Sequence, residues 1–126
     1  GTCRGTYSTG TAIRNLAQNV VGEIAATFFL VLFIVCITPT AGTVGLNYFF
    51  VFSIIMCCGF SLGSTTGFAM NPARDTAPRL AYFLLPFKYK DADWAYAWVP
   101  IVGPILGSAC GALLGSLVTS WPALSI

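Results

Sequence analysis

The six Lys/Arg and four Asp/Glu residues of this chain are confined to two windows. All lie within residues 4–23 or 74–93, and none occurs from Ile24 to Ala73 or from Trp94 to Ile126. A helix needs about 20 consecutive apolar residues to cross the hydrocarbon core of a bilayer, and both uncharged stretches exceed that. Charged residues are only 8% of the sequence, against about a quarter in an ordinary soluble domain, too few to cover an aqueous surface. The pattern predicts an all-α, multi-pass integral membrane protein surrounded by membrane lipid.

Three crossings are expected. The first covers "AIRNLAQNVVGEIAATFFLVLFIVCIT"; its uncharged part is too short to span alone, so the helix starts near Ile13–Leu16, runs over about 13–38, and carries Glu23 into the membrane. Thr38-Pro39 is expected to end it, because proline cannot continue the hydrogen-bond ladder, leaving "PTAGTVG" as a turn. The second, "VGLNYFFVFSIIMCCGFSLG", covers about 44–63, and the third about 94–119, opened by Trp and Tyr suited to a membrane interface. Between them, residues 64–85 contain a short apolar run but also Arg74, Asp75, Arg79, Pro72 and Pro78. A re-entrant loop and half-helix fit this segment better than a fourth crossing. Non-helical backbone at membrane depth is tolerated only where it is buried in protein or lines a water-filled cavity, so a cavity is implied. Glycines recur every four residues at Gly103, Gly107, Gly111 and Gly115, and at Gly59, Gly63 and Gly67, a spacing that lets helices approach closely.

Several functions are disfavoured by what the chain contains. A net charge of +2, dispersed, gives no nucleic-acid footprint. Cys3, Cys36, Cys57, Cys58 and Cys110 show no metal-ligand spacing and read as small buried apolar residues; the vicinal Cys57-Cys58 pair is at most a weak soft-metal candidate, and no metal or cofactor is expected. There is no histidine and no nucleophile with a base beside it, so an enzyme is not expected. A lone intramembrane carboxylate without ionisable neighbours argues against ion-coupled transport and assigns Glu23 the part of a brace, accepting backbone N–H groups of the re-entrant loop.

The stretch "GFAMNPARD", residues 67–75, carries the chemistry. Asn71 is a good N-cap, Pro72 is pre-organised for the first helical position, and Asp75 suits the positive end of the helix dipole. The preceding "GSTTG" is expected to stay extended, so that Ser64, Thr65, Thr66, Gly67, Ala69 and Met70 present backbone carbonyls as a row of acceptors. Acceptors, an Asn71 amide, a half-helix N-terminus and the Arg74 guanidinium together suit a neutral, hydroxyl-bearing solute and repel cations and protons.

"TGFAMNPARD" resembles the second Asn-Pro-Ala signature of the major intrinsic proteins, the aquaporin and glycerol-facilitator family, over about Tyr7 to Val118. The resemblance implies the carboxy-terminal half of an aquaporin-like right-handed helical bundle, with three transmembrane helices and one re-entrant half-helix. It also implies the glycerol-conducting branch. Gly59 stands where water-selective members carry histidine, Phe68 where they carry a small residue, and Asp75, Arg79 and Pro100-Ile101 match facilitator traits. By that resemblance Arg74, Phe68 and Gly59 supply the selectivity constriction for glycerol, water and similar small neutral solutes, Asn71 orients the solute, and Asp75, Pro72 and Glu23 brace the loop. A cell-membrane location and a homotetramer of the full-length protein are further implications. Only one Asn-Pro-Ala occurs, and the start is loop-like without methionine, so a fragment lacking its amino-terminal half is expected. The competing expectation is a non-conducting truncated protein that packs on or regulates full-length channels through its glycine faces.

Overall fold

The computed structural model describes residues 4–86 and 91–121. Among them the regular structure is entirely helical: α1 (Arg4–Tyr7), α2 (Leu16–Thr43), α3 (Asn47–Leu62), α4 (Pro72–Leu84), α5 (Trp94–Ala97) and α6 (Val99–Thr119). Cys3, Lys88 and Lys90 lie outside the described residues.

Helix α2 begins where its polar side chains allow. The Asn15 side chain accepts the Gln18 N–H at 3.3 Å, an N-cap that satisfies one of the orphan donors of the first turn. Asn19, buried, donates to the Ile13 carbonyl at 3.1 Å. The far end corrects the expected stop: the helix runs through Pro39 to Thr43. Proline removes only one ladder donor, the one that would serve the Val35 carbonyl, and membrane helices tolerate such a single break. The Thr38 hydroxyl meanwhile donates to the adjacent Ile34 carbonyl at 2.6 Å. The connection to α3 shrinks to a few residues around Gly45, whose φ of 73° suits glycine.

Among the described residues, two stretches are long and apolar enough to span a bilayer, Leu16–Pro39 and Trp94–Thr119; Trp98, in right-handed helical conformation, links α5 to α6 within the second. Helix α3 has 16 residues, about 24 Å at 1.5 Å per residue, shorter than the expected second span. Some hydroxyls on these helices turn back onto their own backbone, as Ser53 does to the Phe49 carbonyl and Thr119 to that of Gly115, which satisfies them without water.

The principal packing is α2 against α6. Gly103, Gly107, Gly111 and Gly115 are all buried and face α2 so closely that a methyl on Gly107 would stand 2.4 Å from the Ile24 carbonyl oxygen, and one on Gly111 2.6 Å from that of Phe28. This glycine face of α6 is therefore taken up by packing on α2 inside the chain. On the other side of α2, Ala26 packs with Ile54 and Cys58 of α3 and with Met70 of the loop. Large apolar side chains instead point outward, Tyr48, Phe52 and Phe60 of α3 and Leu113 and Leu117 of α6 among them, the inverse of a water-soluble protein.

Replacing Gly107 by valine forces the α2 and α6 backbones apart and is expected to lower stability by about 2–3 kcal/mol, the scale of overpacking a tight core. Gly42→Ala, at a helical site with nothing within 4 Å of an added methyl, should be neutral or stabilise by up to about 1 kcal/mol. Thermal unfolding of both variants in detergent measures the contrast.

Candidate functional site

The backbone between α3 and α4 carries the most unusual conformations in the molecule. Residues 63–67 form a tight turn, closed by the Gly67 N–H donating to the Gly63 carbonyl at 3.0 Å, rather than the extended run expected of "GSTTG". Small residues permit either form, and the turn wins because it satisfies backbone groups internally. Beyond it, Gly67, Phe68 and Met70 have φ of 83°, 66° and 48°. A non-glycine residue in this left-handed region costs on the order of 1–3 kcal/mol and persists only when its surroundings enforce it.

Glu23 is that enforcement. It is 0% exposed, and its carboxylate accepts the Met70 N–H at 2.7 Å and the Ala69 N–H at 3.4 Å. Successive amides turned toward one anion form a concave donor site, so the strained loop and the buried carboxylate satisfy each other. Gly103 makes room for this, since a methyl there would lie 2.5 Å from the Glu23 Cβ.

The next residues start α4 as their chemistry dictates. Asn71 caps the helix, its Oδ1 accepting the N–H groups of Ala73 at 2.8 Å and Arg74 at 3.4 Å, and Pro72 occupies the first turn. The helix has two unlike faces. Asp75, Arg79 and Tyr82 are buried, whereas Asn71, Ala73, Arg74, Ala77 and Leu80 are exposed.

On the buried face, Asp75 and Arg79 are both 0% exposed and paired at 2.8 Å between Asp75 Oδ2 and Arg79 Nε. Arg79 Nη2 also donates to Asp75 Oδ1 and to the Thr9 carbonyl, at 2.9 and 3.3 Å, while Nη1 donates to the carbonyls of Ala92 and Asp93. Asp75 Oδ1 in turn accepts both the backbone N–H and the hydroxyl of Thr9. Asp93 continues the chain of charges at its outer end, where its carboxylate receives two N–H groups of Arg14, the shorter at 2.7 Å. Three segments distant in sequence thus meet at one guanidinium.

The exposed face is different. The Arg74 guanidinium carbon stands 4.7 Å from the centroid of the Phe68 ring, a cation–π geometry. Among the described residues no side chain or carbonyl is hydrogen-bonded to its guanidinium, and its charge has no carboxylate partner. Phe68 lies against Gly59 so tightly that a methyl there would be 2.5 Å from the ring. Gly59, Phe68, Ile55, Met56 and Phe60 line an apolar recess of about 280 Å³. Arg74, Gly67 and residues 5–10 line a polar recess of about 470 Å³. Phe68 thus touches the Arg74 guanidinium and also helps to line the apolar recess.

Of the residues singled out from the sequence, Arg74, Phe68 and Gly59 are brought together, and Asn71 lies on the same open face. Ser64, Thr65 and Gly67 are exposed, whereas Thr66, Ala69 and Met70 are buried. The hub at Arg79 and the part of Thr9 were not foreseen; the Asp–Arg spacing of four residues on a helix was the available signal. Among the described residues, no group of His, Cys, Asp and Glu could hold a metal ion.

Two long spans, a short third helix and a capped half-helix entered through a strained loop define one half of a helical membrane bundle with a re-entrant segment. Residues 3–115 match the family described as "Major intrinsic protein", and the chain belongs to that family of integral membrane transport proteins, which are not enzymes. It is 45% identical over 118 residues to the glycerol uptake facilitator protein of Streptococcus pneumoniae serotype 4, covering 93% of this chain and 50% of that relative. It is 49% identical over 108 residues to the glycerol uptake facilitator protein of Bacillus subtilis, covering 85% and 39%, and 47% identical over 115 residues to glycerol uptake facilitator protein 3 of Lactiplantibacillus plantarum, covering 90% and 48%. The chain spans about half the length of the curated relatives it matches.

Glu23→Gln retains one acceptor but turns an amide NH₂ toward the second backbone donor. A buried donor left unsatisfied costs about 1–3 kcal/mol, and a drop of that size in thermal stability is expected; Glu23→Ala, which strands both amides, should cost more. An unchanged melting temperature in both variants would show that the loop holds its left-handed residues without the carboxylate.

Proposed function

We propose that this chain forms one half of a passive transmembrane channel for glycerol and similar small neutral solutes, together with water. The observation that carries this reading is the grouping of an exposed Arg74 with Phe68 and Gly59, the guanidinium standing over a phenyl ring that also helps to line an apolar recess. A short polyol has hydroxyls along one edge and carbons along the other. Arg74 would donate to two hydroxyls while Phe68 packs on the carbons. A hydrogen bond to a charged group is worth about 1.5–3 kcal/mol net, enough to offset dehydration without trapping the solute. The uncompensated Arg74 charge and the positive end of α4 would repel cations and protons. Asn71 would orient the solute at the start of the half-helix.

The relatives' names support the substrate class. The open face of α4 and its exposed Arg74 support a second half that closes the pore, and we place the complete channel in the cell membrane as a homotetramer, with lipid against the outward apolar side chains.

Glycerol-driven swelling of vesicles tests the reading, comparing this chain alone with the chain joined behind the amino-terminal half of a glycerol facilitator. Permeation is expected from the joined protein. Arg74→Gln in that protein should lower glycerol permeability about tenfold or more, the worth of a hydrogen bond to a charged donor, and let small cations leak. Silence from both forms, with insertion demonstrated, would sink the channel reading. Permeation by the chain alone would mean that two copies pair in opposite orientations.

A further inference from the structure

The buried Asp75–Arg79 pair is more elaborate than a brace for a 13-residue helix requires. A guanidinium has five N–H donors, and Arg79 directs its donors to Asp75, Thr9, Ala92 and Asp93. Thr9 is held at all of its polar groups, with the N–H and hydroxyl donated to Asp75 and the carbonyl accepting from Arg79. What Thr9 belongs to gives the pair its significance. Residues 5–10 form one wall of the polar recess whose other lining residues are Gly67 and Arg74. Gly10 sits directly on Gly67, where an added methyl would meet the Gly10 carbonyl oxygen at 2.8 Å, and Gly67 precedes the ring that lies beside Arg74.

We infer that Asp75 and Arg79 are positioning residues for solute selectivity: they fix the wall formed by residues 5–10 at a set distance from Arg74, and so determine which hydroxylated solutes fit between them. The inference rests on the channel reading and goes beyond it, because neither residue reaches the recess. Both are wholly buried and act through Thr9. The same helix turns its two arginines in opposite directions. Arg74 meets the solute, and Arg79 holds the wall that the solute passes. A charged pair suits the task better than apolar packing, because its hydrogen bonds specify one geometry of the Thr9 backbone, whereas hydrocarbon would tolerate sliding.

The test uses the joined channel in vesicles, with glycerol, a four-carbon polyol and water as probes and permeabilities normalised to inserted protein. The double variant Asp75→Asn with Arg79→Met removes both charges together, avoiding the stranded buried charge that a single change leaves. Its glycerol-to-water permeability ratio should fall about fivefold, the scale of one net hydrogen bond, with weaker discrimination between glycerol and the longer polyol. Arg79→Lys, which keeps the charge but cannot reach all the acceptors, should fall between the double variant and the wild type. A purely structural pair would lower every permeability in step with the amount of folded protein and leave the ratios at their wild-type values, and that result overturns the inference. Should the double variant fail to insert, Thr9→Val decides on the same ratio, since it deletes one hydroxyl and leaves the charge pair intact. A wild-type channel that passes no glycerol would instead remove the channel reading, and the inference with it.

Discussion

The fold depends on satisfying backbone amides where no water is available. A polypeptide that enters a membrane and turns back must abandon helical hydrogen bonding at the turn, and each unsatisfied group in hydrocarbon costs several kcal/mol. Here the turn is also strained, with Phe68 and Met70 both left-handed. One carboxylate resolves both difficulties, because the amides exposed by the reversal converge on Glu23. A buried carboxyl group left without donors would itself be expensive, and the loop amides supply them. The carboxylate and the loop are each unfavourable alone and favourable together.

This mutual dependence reaches further into the bundle. Glu23 can stand inside only because α6 offers glycine at the crossing point, with Gly103 opposite its Cβ and Gly107 and Gly111 continuing the close approach along α2. A glycine stripe that looks like generic helix packing therefore also makes room for the brace at its upper end. On the other side of α2, Met70 joins Ala26, Ile54 and Cys58 in the small apolar core. The loop is thus held by its amides on one side and by its Met70 side chain on the other. Its largest side chain besides Met70, Phe68, faces Gly59 and Arg74.

Much of this was legible in the sequence because it is local. Asn71-Pro72 announces a capped helix, the isolated Glu23 inside an apolar run announces a buried brace, and the charge-free stretches announce the spans. What was not legible depends on residues far apart in the chain. Thr9 and Arg79 are separated by 70 positions, and nothing near either one names the other. Pro39 misleads for a different reason: its effect depends on whether nearby groups compensate the lost donor, and propensity alone carries no information about that. The turn at residues 63–67 misleads because glycine and small hydroxyl residues permit both turn and extended backbone, and the choice falls to the surroundings.

One short helix gives Arg74 and Arg79 opposite surroundings. Five residues at about 100° each place them about 140° apart around the axis. That angle sends one into the protein and the other to the open side. Arg79 is neutralised by Asp75 at 2.8 Å and its donors are committed, so it contributes rigidity and little field. Arg74 keeps its charge uncompensated among the described residues, at the end of the helix where the backbone dipole is also positive. The two positive contributions add on the exposed side of the helix, while the third is cancelled in place. A helix with both arginines exposed would be more repulsive to cations but would have no anchor. One with both buried would be firmly held but would present no donor to the open side.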